Sequence, residues 1–384
     1  MEEALAGPDR EKWLVSTDAE YQILLENGTW DLVVLPEGRK AVQCKWVLRI
    51  KTDDKGQVTI YKSSLVAKGF MQKEKQEFNE IFAPTAKPPT LRVLLADAAV
   101  SGKSIIQMDI STAFLNGVLE EDVYMTHPPG YEDGTGRVCK LKKSIYGLNQ
   151  APRCWYQKLA AVLEEMGFRT SSCDESLFLK GEGEKLVLFL VYVDDILLFS
   201  SSMKEIQKVQ QQLMKNFKCK TLGEVKYYLG MHVERDLDHR WLKLHQEKFI
   251  KELGEKYGIE NERKVATPLP AEFKLVKAAE DEGVEAEEQQ QFQSLVGSLL
   301  YAAVHTRPDI SFSVGQLARV VQNPSEEQVD AAERVAKYLN SHPSIGVQYS
   351  ASAQVKQKGV EVLKEKGELL GEGKLFLTCF ADAT

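Results

Sequence analysis

Alternating apolar and polar residues mark the first part of the chain as rich in strands. The segments CKWVLRIKT and VTIYKSSLVAKGF both alternate, and the DDKG between them favours a tight hairpin turn. Before them, the first 25 residues predict a short amphipathic helix, and a turn at Asn27 and Gly28 leads into the strand-like TWDLVVL. We therefore predict an antiparallel hairpin that carries many basic residues.

Helical and strand patterns alternate through the middle of the chain. Thr90 is a candidate cap for a helix that runs to about Val100, and SIIQMDI then predicts a strand. A helix is predicted over 152–167, followed by LFLVYVDDILLFSSS, in which two apolar runs flank two aspartates. This pattern predicts a buried hairpin whose turn exposes Asp194 and Asp195, with another helix after it.

Helical periodicity dominates beyond about residue 240. Apolar residues recur at helical spacing around Ile250 and Leu295, and Ser325 with Gln328 forms a capping-box pattern. We predict a separate, all-helical unit here, with the acidic, glutamine-rich stretch 278–291 as an exposed loop. The fold class expected for the whole chain is α+β.

Composition limits the class of protein. The chain has 384 residues, 43% of them hydrophobic, which is enough for a large core in two or three domains. No stretch approaches the ~20 apolar residues of a membrane helix, and the N-terminus lacks an apolar secretory core. Six cysteines are scattered without a C-x-x-C pair, so neither a zinc site nor a disulfide framework is indicated. We expect a soluble intracellular protein without a membrane partner.

Charge is distributed unevenly. The net charge is −7, yet residues 40–75 hold nine lysines and arginines against three acids, whereas 280–288 hold six acids. A local basic face can bind phosphates although the total is acidic. A solvated surface without a ligand is the alternative interpretation of the same lysines.

Three aspartates are candidates for chemistry. Asp194 and Asp195 are either plain turn formers or metal ligands, and Asp109 ends another apolar strand, IIQMD. If these strands are neighbours, three carboxylates converge and repel one another unless a cation lies between them. Oxygen ligands favour Mg²⁺, and two such ions are suited to phosphoryl transfer.

Six sequence blocks resemble, in order and spacing, the reverse transcriptase of copia-type retrotransposons. The resemblance runs from about residue 10 to residue 345, and TRPDISFSVGQLARVVQNP extends it through the helical part. The blocks are KWVLRIKTDDKGQVTIYKSSLVAKGF, FAPTAKPPTLRVLLADAA, QMDISTAFLNGVLEEDVYM, SIYGLNQAPRCWY, LVYVDDILLFS and LGEVKYYLGMHVERD.

The resemblance implies a right-hand polymerase with fingers, an antiparallel-sheet palm and an all-helical thumb. The expected domains are a helical lead-in over 1–25, fingers and palm over 26–235, a thumb over 236–345, and a connection with the start of a ribonuclease H domain over 346–384. Asp109, Asp194 and Asp195 match the catalytic metal ligands, with the carbonyl of Ile110 as an added ligand. The implied cofactor is two Mg²⁺ ions, with Mn²⁺ as a substitute.

Further residues match nucleotide and primer sites of the family. Phe114, five residues after Asp109, matches an aromatic ring that excludes a ribose 2′-hydroxyl, and a core phenylalanine is the alternative. The resemblance implies nucleotide contacts for Lys62, Lys68, Ser111, Thr112, Ala113, Phe114, Tyr146 and Gly147. It implies primer or template contacts for Tyr192, Val193, Leu229, Gly230 and Met231.

Two departures from the family bear on activity. Ser64, preceded by Ser63, stands where the family usually has arginine just before the Leu-Val of LVAKG, so a phosphate contact is lost. The terminal LFLTCFADAT resembles the first strand of a ribonuclease H domain, with Asp382 matching its first carboxylate. One aspartate cannot hold the metal pair for RNA hydrolysis, so ribonuclease H activity is not expected and the chain is interpreted as part of a larger polyprotein.

The expected function is RNA-directed DNA polymerisation on an RNA or DNA template with a primer and deoxynucleoside triphosphates. A decayed or repurposed copy that binds nucleic acid without catalysis is the main alternative. A protein-interaction module built on the helical half explains none of the ordered motifs. The resemblance also allows a dimer or a parent polyprotein with integrase and ribonuclease H, located in a cytoplasmic virus-like particle and in the nucleus.

Overall fold

A computed structural model describes residues 6–52, 57–72, 77–78, 80–259, 264–270, 273 and 283–351. The helices in this part of the chain are α1 (Arg10–Glu26), α2 (Pro88–Ser101), α3 (Ala151–Glu165), α4 (Met203–Asn216), α5 (Glu247–Lys256), α6 (Ala286–His305), α7 (Ser311–Ala318) and α8 (Glu326–Ser341). The Asp53–Gly56 turn and Asp382 lie outside the described residues.

Strands occupy most of the first half of the chain and recur in the second. They are β1 (Trp30–Val33), β2 (Cys44–Thr52), β3 (Val58–Ala67), β4 (Ser104–Ile110), β5 (Val118–Met125), β6 (Val138–Lys143), β7 (Arg169–Thr170), β8 (Leu177–Lys180), β9 (Val187–Tyr192), β10 (Asp195–Ser200), β11 (Cys219–Glu224), β12 (Tyr227–Tyr228), β13 (Met231–Asp236), β14 (Trp241–His245) and β15 (Gly346–Ser350). The mixture of helices and sheets confirms the α+β expectation at this level.

One compact unit comprises Met1–Lys87 and Ile106–Gly223. Its largest sheet has six strands in the order β11-β4-β10-β9-β8-β7, so the strand of Asp109, β4, lies beside β10. The pairs β7–β8, β8–β9 and β9–β10 are antiparallel. Continuous apolar runs form β9 and β10 because both faces of the hairpin are buried, Phe189, Leu190 and Leu197 completely so.

The predicted basic hairpin is confirmed as the antiparallel pair β2–β3. Helix α1 packs along β3: the Trp13 and Tyr61 rings meet edge to face at 4.8 Å, and the Ser63 amide donates to Ser16 Oγ at 2.8 Å. Strand alternation places Leu65 and Ala67 in the core and Lys62 at the surface. The N-terminal helix is therefore an integral support of the hairpin.

The other compact unit comprises Pro88–Ile105 and Glu224–Thr384. Four antiparallel strands in the order β12-β13-β14-β15 form its sheet. Helices α5 to α8 share a second apolar core that includes Leu299, Val314 and Val335. The capping box of Ser325 and Gln328 at the start of α8 is confirmed.

Two expectations for this unit were wrong. The region 236–345 is not all-helical, because the alternating WLKLH forms β14 and pairs with β13. Residues 286–291 begin α6 rather than continue a loop, since glutamate and glutamine are good helix formers and acids favour a helix N-terminus. Residues 278–282 lie outside the described part. The domain boundaries proposed from sequence stay a prediction.

The TRPDI motif builds a buried ion pair in the same unit. Arg307 is completely buried, donates to Asp309 Oδ2 at 2.8 Å and to the His342 carbonyl at 2.9 Å, and lies over the Tyr338 ring. A buried guanidinium requires such partners because its desolvation is costly. The motif is therefore structural here. Within the described ranges, no helix is both long and apolar enough to cross a membrane.

Candidate functional site

The turn between β9 and β10 holds two of the predicted site residues in a constrained backbone. Tyr192 pairs with Asp195, which leaves Val193 and Asp194 as the two turn residues. Val193 has φ +59°, a conformation that a β-branched residue adopts only under strain of about 1–3 kcal/mol. The buried Trp155 indole donates to the Val193 carbonyl at 2.7 Å and holds this conformation.

Asp109 is brought to the same turn by β4. The Ile110 amide donates to the Asp194 carbonyl at 3.1 Å, so the end of β4 and the aspartate turn are directly connected. Lys220 Nζ lies 3.3 Å from Asp109 Oδ2, and its own side chain is 64% exposed. An exposed lysine can move away at low cost, so this ion pair leaves Asp109 accessible to another cation.

The three carboxylates interact electrostatically. The pKa of Asp195 is raised by burial and by the negative charges of Asp194 and, to a smaller extent, Asp109, although Gln107 Nε2 donates to Asp195 Oδ1 at 3.3 Å and opposes the shift. No set of three or more histidine, cysteine, aspartate and glutamate side chains within the described residues is arranged closely enough to hold a metal ion. The donor chemistry nevertheless suits a hard divalent cation, because three oxygen ligands repel one another without it.

Burial of the Asp195 carboxylate, together with this repulsion, predicts a gain in stability when Asp195 is replaced by asparagine. A raised pKa in the folded state stabilises the fold below the ordinary aspartate pKa, and that contribution is lost as the pH rises through the folded-state pKa. Without divalent metal at pH 7, Asp195→Asn should therefore increase the free energy of unfolding, and the gain should shrink toward pH 4. Urea unfolding at both pH values measures it. A lower stability of the variant at pH 7 would contradict the proposed repulsion.

Phe114 lies in a short 3-10 turn, Ala113–Asn116, beside Tyr146. The two rings meet edge to face with centroids 4.6 Å apart, and Phe114 is only 8% exposed. The pKa of Tyr146 rises to about 12 through burial and through the charges of Asp194, Glu20 and Asp109. Tyr146 therefore lies within the electrostatic field of Asp194 and Asp109, and Phe114 packs against Tyr146.

Gly147 explains how Tyr146 reaches this position. Gly147 has φ +90°, and a Cβ at this residue would stand 2.1 Å from the Ala67 carbonyl oxygen. The Ala67 amide donates to the Tyr146 carbonyl at 2.8 Å. Glycine is therefore required for the close approach between this segment and the end of β3.

The amides of Ser111 to Ala113 are not equally available for a phosphate. The Ser111 amide already donates to the Lys218 carbonyl at 2.8 Å, and the nucleotide contact implied for Ser111 stays a prediction. Thr112 adopts a left-handed conformation with φ +54°, which turns the chain sharply after β4. Thr112 and Ala113 remain candidates for phosphate contact.

Strand alternation places neighbouring residues of β3 on opposite faces of the hairpin. Lys62 and Ser64 lie on one face of β3, whereas Ser63 is 3% exposed on the opposite face. Ser63 therefore does not face a ligand that Lys62 and Ser64 would contact. Lys68 donates through Nζ to Gln43 Oε1 at 2.8 Å at the end of β3.

The predicted primer-contacting turn, Leu229 to Met231, belongs to the other compact unit. Leu229 and Gly230 have φ values of +46° and +80° and connect β12 to β13, the pattern of a type I′ hairpin turn. Tyr301 Oη donates to the Leu229 carbonyl at 3.0 Å, and a Cβ on Gly230 would lie 2.4 Å from the same hydroxyl. Tyr301 thus fixes the shape of the turn.

Several supporting residues were missed by sequence reasoning. Trp155, Gln107, Lys220 and Tyr301 contact the predicted site residues through hydrogen bonds or an ion pair. Trp155 lies in the helix predicted over 152–167, and helical periodicity does not reveal its bond to Val193. No sequence spacing identifies the other three, because their partners lie far away in the chain.

Comparison with known proteins decides the family. A family model described as reverse transcriptase (RNA-dependent DNA polymerase) matches residues 27–271. The chain belongs to this reverse transcriptase family. The matched range includes β4, the aspartate turn and the Leu229–Met231 turn, so every polymerase site residue predicted from the resemblance lies inside residues 27–271.

Similar proteins include Pol polyproteins of plant transposons. The chain is 38% identical over 347 residues to the retrovirus-related Pol polyprotein from transposon TNT 1-94 of Nicotiana tabacum, covering 88% of this chain and 26% of the relative. It is 36% identical to the RE1 and 34% identical to the RE2 polyprotein of Arabidopsis thaliana, covering 88% and 90% of this chain and 23% of each relative. The chain therefore spans about a quarter of the length of these relatives.

Proposed function

We propose that this chain is an RNA-directed DNA polymerase that adds deoxynucleotides to a primer 3′-hydroxyl. The observation that carries the proposal is the hydrogen bond that joins the end of β4, beside Asp109, to the strained turn of Asp194, with Asp195 directly after it, within the family's matched range. Reverse transcriptases use divalent metal ions and act on nucleic-acid templates with deoxynucleoside triphosphates, which is the chemistry that such a carboxylate group serves.

Two Mg²⁺ ions, or Mn²⁺ as a substitute, are the proposed cofactor. Asp109, Asp194 and Asp195 would hold them, with the Ile110 carbonyl as a further oxygen ligand. When bound, such a pair activates the attacking hydroxyl and stabilises charge on the leaving phosphate. The chain itself supplies a rigid turn that keeps the ligands in place, because Trp155 fixes Val193 and the Ile110 amide fixes the Asp194 backbone.

The surrounding residues receive roles by their position. Ser111, Thr112, Ala113, Lys62 and Lys68 are proposed to contact the triphosphate. Phe114, Tyr146 and Gly147 are proposed to contact the sugar and base. Tyr192, Val193 and the turn from Leu229 to Met231 are proposed to contact primer and template. These assignments rest on the family match and on the neighbours described above.

The larger organisation follows from the same family. We propose that the hairpin β2–β3 contributes to fingers, the six-stranded sheet to a palm and helices α5 to α8 to a thumb. The relatives are Pol polyproteins, so a parent polyprotein with ribonuclease H and integrase is proposed, acting in a cytoplasmic particle and in the nucleus. Dimerisation is proposed as well.

A repurposed, inactive copy is the second candidate, favoured by Ser64 in place of the family's usual arginine. Extension of a DNA primer on an RNA template, with Mg²⁺ and deoxynucleotides, decides between the two. Incorporation above that of a metal-free control supports the enzyme. Duplex binding without any incorporation would favour the inactive alternative.

The Ser64 departure itself predicts a gain of function. Ser64 is half-buried on the same face of β3 as Lys62, so an arginine there adds a guanidinium beside the proposed phosphate contacts. We expect Ser64→Arg to raise incorporation about 5-fold at low ionic strength, equivalent to about 1 kcal/mol, and the gain to shrink as salt screens the charge. Steady-state incorporation at two salt concentrations measures it.

Ser64→Gln is the matched control because it adds a long side chain without charge. An equal gain in Ser64→Gln would assign the effect to packing. Unchanged incorporation in Ser64→Arg at both salt concentrations would show that position 64 does not face the nucleotide.

A further inference from the structure

A basic groove lies beside the palm sheet, apart from the aspartate turn. It has a volume of about 350 Å³ and is lined by residues of β8, the loop after β8, the start of β9 and helix α4. Four lysines face it, Lys180, Lys185, Lys208 and Lys215, and Glu205 is the carboxylate among its described lining residues. The groove is therefore positive in a chain whose net charge is −7.

Two separate elements bring these lysines together. On α4, Lys204, Lys208, Gln211 and Lys215 follow one another at intervals of four, three and four residues, which places them along one side of the helix. This side flanks the buried stripe of Ile206, Val209 and Leu213. The helix is therefore anchored by its apolar face and presents its cations beside the sheet.

The facing wall is a tight loop with a fixed shape. Gly181 has φ +80°, and a Cβ on it would lie 2.6 Å from the Lys185 carbonyl oxygen, so glycine permits the loop to close. Lys180 Nζ contacts Gln212 Oε1 at 3.3 Å and lies 5.6 Å from the centre of the Phe168 ring. The end of β8, from which the loop starts, thereby meets α4 across the groove.

Glu205 does not neutralise the groove. It pairs with Lys208 at 2.6 Å, and its pKa is lowered first by this hydrogen bond and further by the charges of Lys185 and Lys204. One carboxylate thus lies within the field of three lysines. Glu182 and Glu184 are exposed on the same loop but do not line the groove.

We propose that this groove binds the sugar–phosphate backbone of a nucleic-acid strand that extends beyond the primer–template duplex. Clustered lysines attract phosphates without reading sequence, and the side-chain amides of Gln211 and Gln212 add neutral hydrogen-bond donors for phosphate oxygens. The proposal rests on the proposed function only in taking nucleic acid as the ligand.

The position of the groove separates it from catalysis. Val187 begins β9 at the groove, and Tyr192 ends β9 at the aspartate turn. Five residue steps of ~3.3 Å put about 17 Å of strand between them. Because successive phosphates of one strand lie ~3.4 Å apart along a helix axis, an overhang of about two nucleotides cannot reach the groove, whereas one of about twenty can.

The test compares Lys208→Gln/Lys215→Gln with wild type on primer–templates that carry a short or a long single-stranded overhang. We expect the double variant to bind the long-overhang substrate about 5- to 10-fold more weakly at 0.1 M salt, and the short one within about 2-fold. The slope of log affinity against log salt should fall by about 1.4 on the long substrate, at ~0.7 per lost contact.

Lys158→Gln/Lys248→Gln is the matched control, since it removes the same charge from two exposed lysines outside the groove. An equal loss in this control, or an equal loss on both overhangs, would overturn the proposal. Lys208→Glu/Lys215→Glu should show the same overhang dependence with a larger loss. Thermal unfolding of each variant confirms that the comparison concerns folded protein.

Two additional measurements identify the ligand of the groove and separate the groove from the polymerase. Tripolyphosphate binding is measured for wild type and for the double variant. If wild type binds it at micromolar concentration and the double variant binds it weakly, while both proteins bind the long-overhang substrate equally well, the groove holds a soluble polyphosphate. That result would overturn the proposal. Extension of the short-overhang substrate by wild type tests the proposed polymerase separately. If wild type does not extend the primer but its binding still depends on the overhang and on the groove lysines, the groove proposal is supported and the proposed polymerase function is contradicted.

Discussion

Asp109→Asn or Asp194→Asn should reduce primer extension by ~10³-fold or more and leave duplex binding nearly unchanged. Both residues carry a carboxylate at the point where the end of β4 meets the β9–β10 turn. An amide has a similar shape but no charge, so it weakens the hold on a divalent cation and removes stabilisation of the reacting phosphate. Binding depends mainly on lysine and arginine contacts elsewhere and is therefore retained.

Single-turnover incorporation measures this effect, with duplex affinity determined on the same preparations. Asp122→Asn is the control: it also changes one aspartate of the same unit, but an exposed one that pairs with Lys140 at 2.7 Å. The control should extend normally. Extension by Asp109→Asn at the wild-type rate would remove the assignment of these aspartates to metal binding. Asp195→Asn should be impaired but less completely.

Phe114→Ala should change the choice of sugar, with ribonucleotide efficiency relative to deoxynucleotide efficiency rising on the order of 100-fold. The Phe114 ring packs against Tyr146. The backbone of Phe114 is held by the hydrogen bond that Ser144 Oγ donates to the Phe114 carbonyl at 2.5 Å. A fixed ring five residues after Asp109 can exclude a 2′-hydroxyl by contact, and steric pockets of this kind discriminate by about 10- to 200-fold.

The same substitution removes a buried ring, which lowers the free energy of unfolding by about 3–5 kcal/mol if the site cannot collapse. The ratio of the two efficiencies is measured in one preparation, so it is insensitive to the folded fraction. Phe114→Tyr keeps the ring and should retain discrimination. A lower stability with an unchanged ratio in Phe114→Ala would identify Phe114 as a core residue only.

Local patterns predicted the elements that carry the site. The uninterrupted apolar runs on both sides of Asp194 and Asp195 indicated a buried hairpin, and β9–β10 has that form because both of its faces are covered. The condition that Asp109 be close was met by β4 lying next to β10. Alternation also predicted the hairpin β2–β3, and the same alternation accounts for the burial of Ser63.

Contacts between distant residues could not be predicted in this way. The strained φ of Val193 depends on the Trp155 indole, and the ion pair of Asp109 depends on Lys220, which lies on another strand. Helix α2 belongs to the second unit, where Arg92 donates to the His305 carbonyl at 2.9 Å across more than two hundred residues of sequence. Periodicity reports which face of an element is buried and not which element covers it.

The most direct test of the central claim is single-nucleotide incorporation on an RNA template by the wild-type chain and by Asp194→Asn, with and without Mg²⁺. We predict that the wild type incorporates the nucleotide only when Mg²⁺ is present, and that the variant incorporates none with or without Mg²⁺. Incorporation that persists without divalent metal, or that is equal in Asp194→Asn, would contradict the assignment of polymerase chemistry to the aspartate turn.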